Sequence, residues 1–304
     1  DPEMSRGLGD VYKRQVLKLF KGCENIIMMP ANRGLRVFAP LFLFYNKLYH
    51  RKIYYVVIGG WLDSFLDEHK WLVRLLKKFD AIYVESDMMK SALQRRGFEN
   101  AVVMYNFKEL EPLAESDIEY PKSEPYKLCT FSRVMKEKGI EDAINAVESI
   151  NAHFGRTVYT LDIFGQVDVE YKERFSQLEK SFPDYISYGG AIEANKSVET
   201  LKSYFALLFP TYYKGEGFAG TLIDAMSAGV PVIASDWKYN PEFVVSGKTG
   251  VIIKNCNAER LAEELVNIAA APEKWNSMRL SALKESKKYK PDIAARPLID
   301  RING

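Results

Sequence analysis

Short apolar runs alternate with amphipathic stretches along most of the 304-residue chain. Runs such as Lys52–Gly59 and Tyr159–Phe164 are typical of strands that are buried on both faces of a parallel sheet. The stretches between them carry apolar residues at helical spacing. Strands that alternate with helices indicate an α/β fold with doubly wound parallel sheets, whose ligand sites lie at the carboxyl ends of the strands.

This alternation defines the predicted elements. The predicted strands are Ile26–Met29, Lys52–Gly59, Ala81–Glu85, Ala101–Tyr105, Lys127–Phe131, Tyr159–Phe164, Ile186–Tyr188, Ala206–Phe209, Val230–Ala234 and Gly250–Ile253. The predicted helices are Leu35–Leu48, Phe65–Phe79, Ser86–Arg96, Ile140–Ala152, Val169–Ser181, Ser197–Tyr204, Thr221–Ala228, Ala258–Ala270 and Pro272–Lys288. Pro40 is expected only near the first turn of its helix, because proline lacks the amide that an interior position donates.

Charge and cysteine content exclude several classes of protein. The 42 basic and 40 acidic residues give a net charge of +2, whereas a nucleic-acid-binding protein carries a strong basic bias. Cys23, Cys129 and Cys256 are far apart and lack a CxxC spacing. They therefore predict neither a disulfide framework nor a four-ligand zinc site, and a reducing cytoplasm fits them. The apolar patch Val37–Tyr45 is too short to span a bilayer.

Two segments depart from the alternation. Residues 1–15 show no apolar periodicity, and the run 10–15 can be encoded by the transposase end sequence used to fragment DNA for sequencing. We therefore expect residues 1–15 to be a non-native tail, with an ordinary polar terminus as the alternative. Between Lys108 and Tyr126, charged residues, serine and proline dominate, which predicts a domain boundary.

A glycine-rich segment follows the predicted strand that ends at Phe209. It leads into a helix expected near Thr221, whose first-turn amides have no intrahelical partners. Such amides, at the positive end of the helix dipole, suit a diphosphate. Thr221 can add a hydroxyl, and Asp224 lies one turn further on, where a carboxylate can accept ribose hydroxyls. The alternative is a capped helix in which Asp224 complements the dipole.

A second candidate segment follows the strand that ends at Phe131. Arg133 and Lys138 lie in a strand-to-helix loop from which both can reach one phosphate group. By itself this segment also fits a solvated basic turn. The sequence has no DxD motif to hold a metal on a diphosphate, so the leaving-group charge is expected to be stabilised by these two cations and the helix N-terminus, without a metal.

Together the two segments resemble a known signature. Arg133-x4-Lys138-Gly139, followed by Glu216-x7-Asp224, is similar to the signature of family-4 retaining glycosyltransferases of the GT-B fold, also called glycosyl transferases group 1. The fold that the resemblance implies is two Rossmann-like doubly wound domains that face a cleft.

The resemblance extends over much of the chain. It is clear over Lys127–Lys288, where Ala228–Asp236 and Gly247–Gly250 also match, and fainter over Ile26–Glu109, where Tyr105-Asn106 is similar to the family's strand end.

The resemblance also implies the roles of individual residues. Arg133 and Lys138 would bind the donor diphosphate, and Glu216 would contact hydroxyls of the transferred sugar, so these three are the expected catalytic residues. The expected donor-binding residues are Gly217, Phe218 and Ala219 for the sugar, Gly220 and Thr221 for phosphate, Asp224 for the ribose, Gly190, Ala191 and Ile192 for the base, and Gly165 beside the nucleotide.

The chain departs from the family pattern in three places. Asp224 replaces the usual glutamate, Gly59-Gly60-Trp61 stands where a histidine is common, and the family's first strand and acceptor loop are not found ahead of Ile26. We therefore expect an N-terminally truncated protein that binds nucleotide but turns over poorly, because the first-domain wall that positions the acceptor is incomplete. Its expected domains are a partial acceptor-side domain at 16–118, a nucleotide-sugar-binding domain at 119–290, and a terminal helix at 291–304 that packs back on the first domain.

The function implied is a retaining, metal-independent glycosyltransferase of the bacterial polysaccharide-biosynthesis type. It would move a hexosyl unit from a nucleotide-sugar, with UDP favoured, to a glycan or polyprenol-linked acceptor, with no further cofactor and no nucleic-acid partner. A cytoplasmic location at the inner face of the membrane is expected. The helix around Lys70, Trp71 and Arg74 can touch anionic lipid, although a core-packed helix with a solvated basic face is the favoured alternative.

Three other functions stay open at this point. An NAD-dependent dehydrogenase is disfavoured because no G-x-G-x-x-G follows the first strand of either half. A nucleotide-sugar epimerase of the same architecture and a catalytically silent nucleotide-sugar-binding protein share the expected donor site.

Overall fold

A computed structural model of the protein describes residues 16–304, so the predicted non-native tail at 1–15 lies outside the described residues. The chain divides into two units. Unit 1 contains the described residues up to Tyr105 together with Ala295–Gly304, and unit 2 is Asn106–Ala294. Each unit is built around its own parallel sheet.

Ten strands lie within residues 16–304, and every pair of neighbours is parallel. The strands are β1 Asn25–Met28, β2 Lys52–Val56, β3 Ala81–Val84, β4 Ala101–Val103, β5 Tyr126–Phe131, β6 Tyr159–Phe164, β7 Ile186–Gly190, β8 Ala206–Phe209, β9 Val232–Ser235 and β10 Gly250–Ile253. The prediction of parallel sheets in two α/β units is therefore confirmed.

Helices connect the strands. They are α1 at residues 16–22, α2 Asn32–Tyr49, α3 Leu62–Glu68, α4 Lys70–Leu76, α5 Asp87–Arg95, α6 Ile140–Phe154, α7 Lys172–Glu179, α8 Ser197–Leu201, α9 Gly220–Ser227, α10 Asn240–Phe243, α11 Ala258–Ala270, α12 Pro272–Asn276, α13 Met278–Ser286, α14 Pro291–Ala294 and α15 Arg296–Asn303. None of these described helices is long and apolar enough to cross a membrane.

The sheet of unit 1 has the order β1-β2-β3-β4, and α15 covers one of its faces. The hydroxyl of Tyr54 donates to the carbonyl of Arg301 at 3.3 Å, and the hydroxyl of Tyr83 donates to the carbonyl of Pro297 at 3.2 Å. One tyrosine from β2 and one from β3 thus bind the last helix. The apolar residues that meet on this face are Tyr54, Val56, Ala81, Tyr83 and Met104, with Leu298 and Ile302.

The sheet of unit 2 has the order β10-β9-β8-β5-β6-β7. The chain runs outward from β5 to β7 and then returns to β8 on the other side of β5, so the strand order reverses between β5 and β8. Helix α6 contacts α11, whereas α9 contacts α8 and α13. In sheets of this topology the switch point, at the carboxyl ends of the strands, is where ligands bind.

Asn106 and the segment of linker composition that follows it contact the rest of unit 2 at several points. The side-chain amide of Asn106 donates to the carbonyl of Phe218 at 2.9 Å, and the backbone amide of Leu113 donates to the carbonyl of Ser227 at 2.8 Å. Ile118 is buried. These contacts explain why the two units divide between Tyr105 and Asn106.

Two predicted helices are broken and one expectation about proline was wrong. The predicted helix Phe65–Phe79 is two helices, α3 and α4, because His69 between them leaves the helical conformation at φ −125° and ψ 53°. The predicted helix Pro272–Lys288 is likewise divided into α12 and α13. Pro40 lies in the interior of α2, because the helix begins at Asn32 and buries one apolar face despite the missing amide.

Candidate functional site

One pocket of about 490 Å³ lies at the switch point of unit 2. The loops that follow β5, β6, β7 and β8 form its walls together with the start of α9. Its lining residues are Lys108, Phe131, Ser132, Arg133, Met135, Lys138, Phe164, Gly165, Gln166, Ala191, Ile192, Tyr213, Glu216, Ala219, Gly220, Thr221 and Asp224. The pocket therefore contains both segments that the sequence singles out.

Two glycines allow these loops to meet backbone to backbone. Gly165 has a φ of +136°, and a β-carbon there would lie 1.8 Å from the carbonyl oxygen of Ser132. Gly139 has a φ of +70°, and its β-carbon would lie 2.3 Å from the carbonyl oxygen of Pro210. Any other residue would separate the loop after β5 from those after β6 and β8.

Arg133 lines the pocket with a side chain that is 62% exposed. Its nearest carboxylate is that of Asp168, with 3.7 Å between Nη1 and Oδ2. A contact of this length at an exposed site contributes little to stability. The guanidinium can therefore reorient towards an anion without a large cost.

Lys138 and Glu216 form a buried ion pair across the pocket floor. Their side chains are 12% and 7% exposed, and Nζ lies 2.6 Å from Oε2. The hydroxyl of Thr211 lies 2.8 Å from the same carboxylate oxygen. The ammonium also lies over the rings of Phe209 and Tyr213, at 5.4 and 5.2 Å from their centroids. These contacts fix both charges at the ends of β5 and β8.

The start of α9 faces the same pocket. Ala219 precedes the helix in an extended conformation and makes no side-chain capping bond to it. Ala219 and Gly220 line the pocket, so the first-turn amides lie at its wall. The hydroxyl of Thr221 donates to the carbonyl of Phe131, which ties the helix to the end of β5. This hydroxyl is thus engaged by the protein, and its predicted contact with phosphate stays a prediction.

Asp224 is 1% exposed and forms an ion pair with Lys108, whose Nζ lies 2.5 Å from Oδ2. The other carboxylate oxygen, Oδ1, has no hydrogen-bond partner among the described residues. Burial raises the pKa of the Asp224 carboxyl, and the ammonium of Lys108, followed by the hydroxyl of Ser197, partly offsets that rise. The sequence analysis missed Lys108, which has no motif around it; its one signal is its place just after Tyr105-Asn106.

The pocket is lined by all the predicted site residues except Gly190, Gly217 and Phe218. The ring of Phe218 points into the core of unit 2 and stacks on Phe243, with 3.6 Å between the ring centroids. Gly190 accepts a hydrogen bond from the amide of Gly165 at 2.8 Å, so it supports the wall of the pocket. The roles inferred for these three residues stay predictions.

The pocket presents three cations, two carboxylates and a row of helix amides. Cations and amides bind phosphate, and carboxylates accept hydrogen bonds from sugar hydroxyls. Within residues 16–304 no group of three or more His, Cys, Asp or Glu side chains is placed to hold a metal ion. This arrangement matches a ligand that combines phosphate groups with hydroxyl-bearing sugars.

Residues 114–285 match the model of a family described as glycosyl transferases group 1. The chain is 30% identical over 178 residues to the GtfA subunit of a UDP-N-acetylglucosamine–peptide N-acetylglucosaminyltransferase from Streptococcus gordonii, covering 56% of this chain and 34% of that protein. It is 24% identical over 213 residues to the lipopolysaccharide core biosynthesis mannosyltransferase LpcC of Rhizobium leguminosarum, covering 67% and 57%. The matched part thus spans between a third and two thirds of each relative.

A solved structure shares the fold. Anabaena HepE in complex with UDP-glucose matches with a TM-score of 0.75 at 16% identity, over 95% of this chain and 81% of that one. Identity this low shows the fold alone. The predicted fold class, GT-B with two Rossmann-like α/β domains, is confirmed.

Proposed function

Because the chain belongs to the glycosyl transferases group 1 family, we propose that it is a glycosyltransferase that moves a hexosyl unit from a UDP-sugar to a glycan or polyprenol-linked acceptor. One observation carries this proposal. Arg133 and Lys138, from the loop after β5, line the same pocket as the first amides of α9. A diphosphate in that pocket can contact two cations and a helix N-terminus together.

The proposed reaction retains the configuration of the sugar and uses no metal ion. The bond between the anomeric carbon and the leaving phosphate oxygen breaks, and the electron pair stays with the nucleoside diphosphate. The acceptor oxygen bonds to the anomeric carbon on the same face, while its proton passes to the leaving phosphate. Arg133, Lys138 and the helix amides stabilise the negative charge that develops on the phosphate, and Glu216 holds hydroxyls of the transferred sugar.

Three of the comparisons support the choice of donor and acceptor. The matched HepE structure contains UDP-glucose, and the Streptococcus gordonii relative uses UDP-N-acetylglucosamine. The LpcC relative acts in lipopolysaccharide core biosynthesis, which favours a glycan or lipid-linked acceptor. Both choices are proposals for this chain.

We also propose that the protein acts in the cytoplasm, at the inner face of the membrane. Trp71 is 47% exposed on α4, beside the exposed cations Lys70 and Arg74, while Leu72 and Leu76 are buried. Such a face suits anionic lipid headgroups. Flotation with phosphatidylglycerol vesicles tests this: no binding, or equal binding to phosphatidylcholine vesicles, contradicts it.

The donor site is tested by titrating UDP into the wild type and two matched arginine variants. Arg133→Ala removes a pocket cation that is 62% exposed, and Arg156→Ala removes a cation that is 56% exposed and paired with Glu124 outside the pocket. We expect Arg133→Ala to weaken UDP binding about tenfold, the cost of one charge-assisted hydrogen bond, and Arg156→Ala to leave it unchanged. Equal affinities of the two variants for UDP would contradict the proposed donor site.

The reaction type needs a separate measurement. Incubation with UDP-glucose in the presence of EDTA, with and without an oligosaccharide acceptor, is followed by NMR of the anomeric proton. Transfer with retention is the expected result. Isomerisation of the UDP-sugar without acceptor indicates an epimerase, and binding without any conversion indicates a silent binding protein.

A further inference from the structure

Lys108 lies across the start of α9. A β-carbon on Gly220, the first residue of that helix, would lie 2.8 Å from Cε of Lys108, so the glycine leaves the space that the lysine stem fills. The ammonium is 2.5 Å from Oδ2 of Asp224. A cation beside the positive end of a helix dipole is unfavourable unless an anion is close by. In this structure Asp224 is that anion.

Asp224 lines the pocket, yet only 1% of it is exposed. Its Oδ1 is buried, and the hydroxyl of Ser197 also interacts with the carboxyl, so Oδ2 is the oxygen that a ligand hydroxyl can reach. The side chain of Lys108, 33% exposed, is the ion-pair partner at Oδ2. A ligand hydroxyl that binds Asp224 therefore competes with the ammonium for the carboxylate.

The backbone around Lys108 is fixed while its side chain has room to move. Asn106 binds the carbonyl of Phe218, and the amide of Leu113 binds the carbonyl of Ser227, so the segment is anchored on both sides of the lysine. Lys108 lines the same pocket as Arg133 and Lys138. An ammonium that leaves Asp224 thus stays within reach of an anion bound at the helix amides.

We infer that Lys108 is a donor-binding residue that exchanges partners: it neutralises Asp224 before the nucleotide binds and contacts the diphosphate once ribose hydroxyls occupy Asp224. The inference rests on the proposed function, because it requires a nucleoside diphosphate in this pocket. Lys108 would then be the third cation that binds the diphosphate, beside Arg133 and Lys138 from the loop after β5.

Calorimetric titrations of uridine and UDP into wild type, Lys108→Met and Lys254→Met test this exchange. Lys254 is an exposed lysine after β10 that does not line the pocket. We expect Lys108→Met to weaken UDP binding about tenfold while uridine binds as well as before or more tightly, since one charge-assisted contact is lost and a competitor for Asp224 is removed. Lys254→Met should match the wild type for both ligands.

A second pair of variants avoids leaving a buried carboxylate without its cation. Asp224→Asn and Asp224→Asn/Lys108→Met both lack the buried charge, and the double variant should bind UDP about tenfold more weakly than the single one, with equal affinity for uridine. If Lys108 only supports Asp224, then replacing Lys108 would either lower the affinities for uridine and UDP by the same factor or leave both affinities unchanged. Either result overturns the inference.

The controls separate this inference from the proposed function. If UDP binds the wild type and binding depends on Arg133 but not on Lys108, the inference alone fails. If UDP does not bind the wild type, both fail.

Discussion

The two parallel sheets of the molecule end in very different residues at their carboxyl edges. In unit 1 the chain leaves β2 through Val57 and Ile58, and it leaves β3 through one buried carboxylate, Glu85, into Ser86, whose hydroxyl caps α5 by accepting from the amide of Met89. In unit 2 the corresponding edge carries Arg133 and Lys138 together with the partners of that lysine. The same architecture therefore supplies helix caps in one unit and a charged pocket in the other, so the loops, rather than the fold, decide the chemistry.

The largest expected difference between the units concerns glycine. Gly165→Ala in unit 2 places a β-carbon 1.8 Å from a backbone oxygen, whereas Gly97→Ala in unit 1, at a φ of +77°, meets only the flexible end of Lys77 at 2.8 Å. We expect a loss of more than about 4 kcal/mol for Gly165→Ala and of about 1 kcal/mol for Gly97→Ala. Urea unfolding followed by circular dichroism measures both, and equal losses would show that the loops after β5 and β6 separate easily.

The next effect concerns ion pairs. Lys138→Met leaves Glu216, which is 7% exposed, without its cation, whereas Arg96→Met in unit 1 breaks pairs with two exposed carboxylates, Asp63 at 38% and Asp67 at 65% exposure. We expect losses of about 3 kcal/mol and less than about 1 kcal/mol, respectively, because only Lys138→Met leaves a buried charge without a partner. Stability is again measured by urea unfolding.

The double variant Lys138→Met/Glu216→Gln serves as the control for that prediction, because it removes both charges together. It should recover most of the stability that Lys138→Met loses. A double variant as unstable as the single one would assign the loss to the contacts of the ammonium with the rings of Phe209 and Tyr213.

The smallest effect is a pH dependence that arises from Asp224 in unit 2. Burial raises the folded-state pKa of Asp224 above its unfolded value, so between the two pKa values the folded state holds a proton that the unfolded state has released. Stability therefore falls as the pH rises through this window, and above the folded pKa the full cost is present. The free energy of unfolding of wild type minus that of Asp224→Asn should decrease with rising pH from about 4 upward. A difference that increases with pH would mean that Lys108 outweighs burial.

The sequence predicted the strands well where apolar runs end at turn residues. Tyr159–Phe164, Ala206–Phe209 and Gly250–Ile253 have the same bounds in the prediction and in the structure. Periodicity did not reveal the break at His69 or the interior position of Pro40, because both depend on how neighbouring elements pack rather than on local pattern.

The part of the pocket that follows directly from the strands was predictable from the sequence. Arg133 and Gly220 follow strands whose carboxyl ends share one edge, so they were expected to lie together, and both line the pocket. Lys108 was missed because a segment of linker composition carries no periodic signal, and only the folded chain brings it to Asp224. The bond from Thr221 to the carbonyl of Phe131 is likewise a contact between residues distant in sequence.

The packing of α15 on the sheet of unit 1 makes the chain pass between the units twice. Unit 2 is thus an insertion within unit 1, and a protease that cuts once, between Tyr105 and Asn106, would not free the two pieces from each other. The severed strands would still hold α15 through the bonds from Tyr54 and Tyr83. Releasing unit 2 requires a second cut near Ala294. Removal of the last ten residues would expose a sheet face whose tyrosines, Tyr54 and Tyr83, lie more than two hundred positions away in sequence.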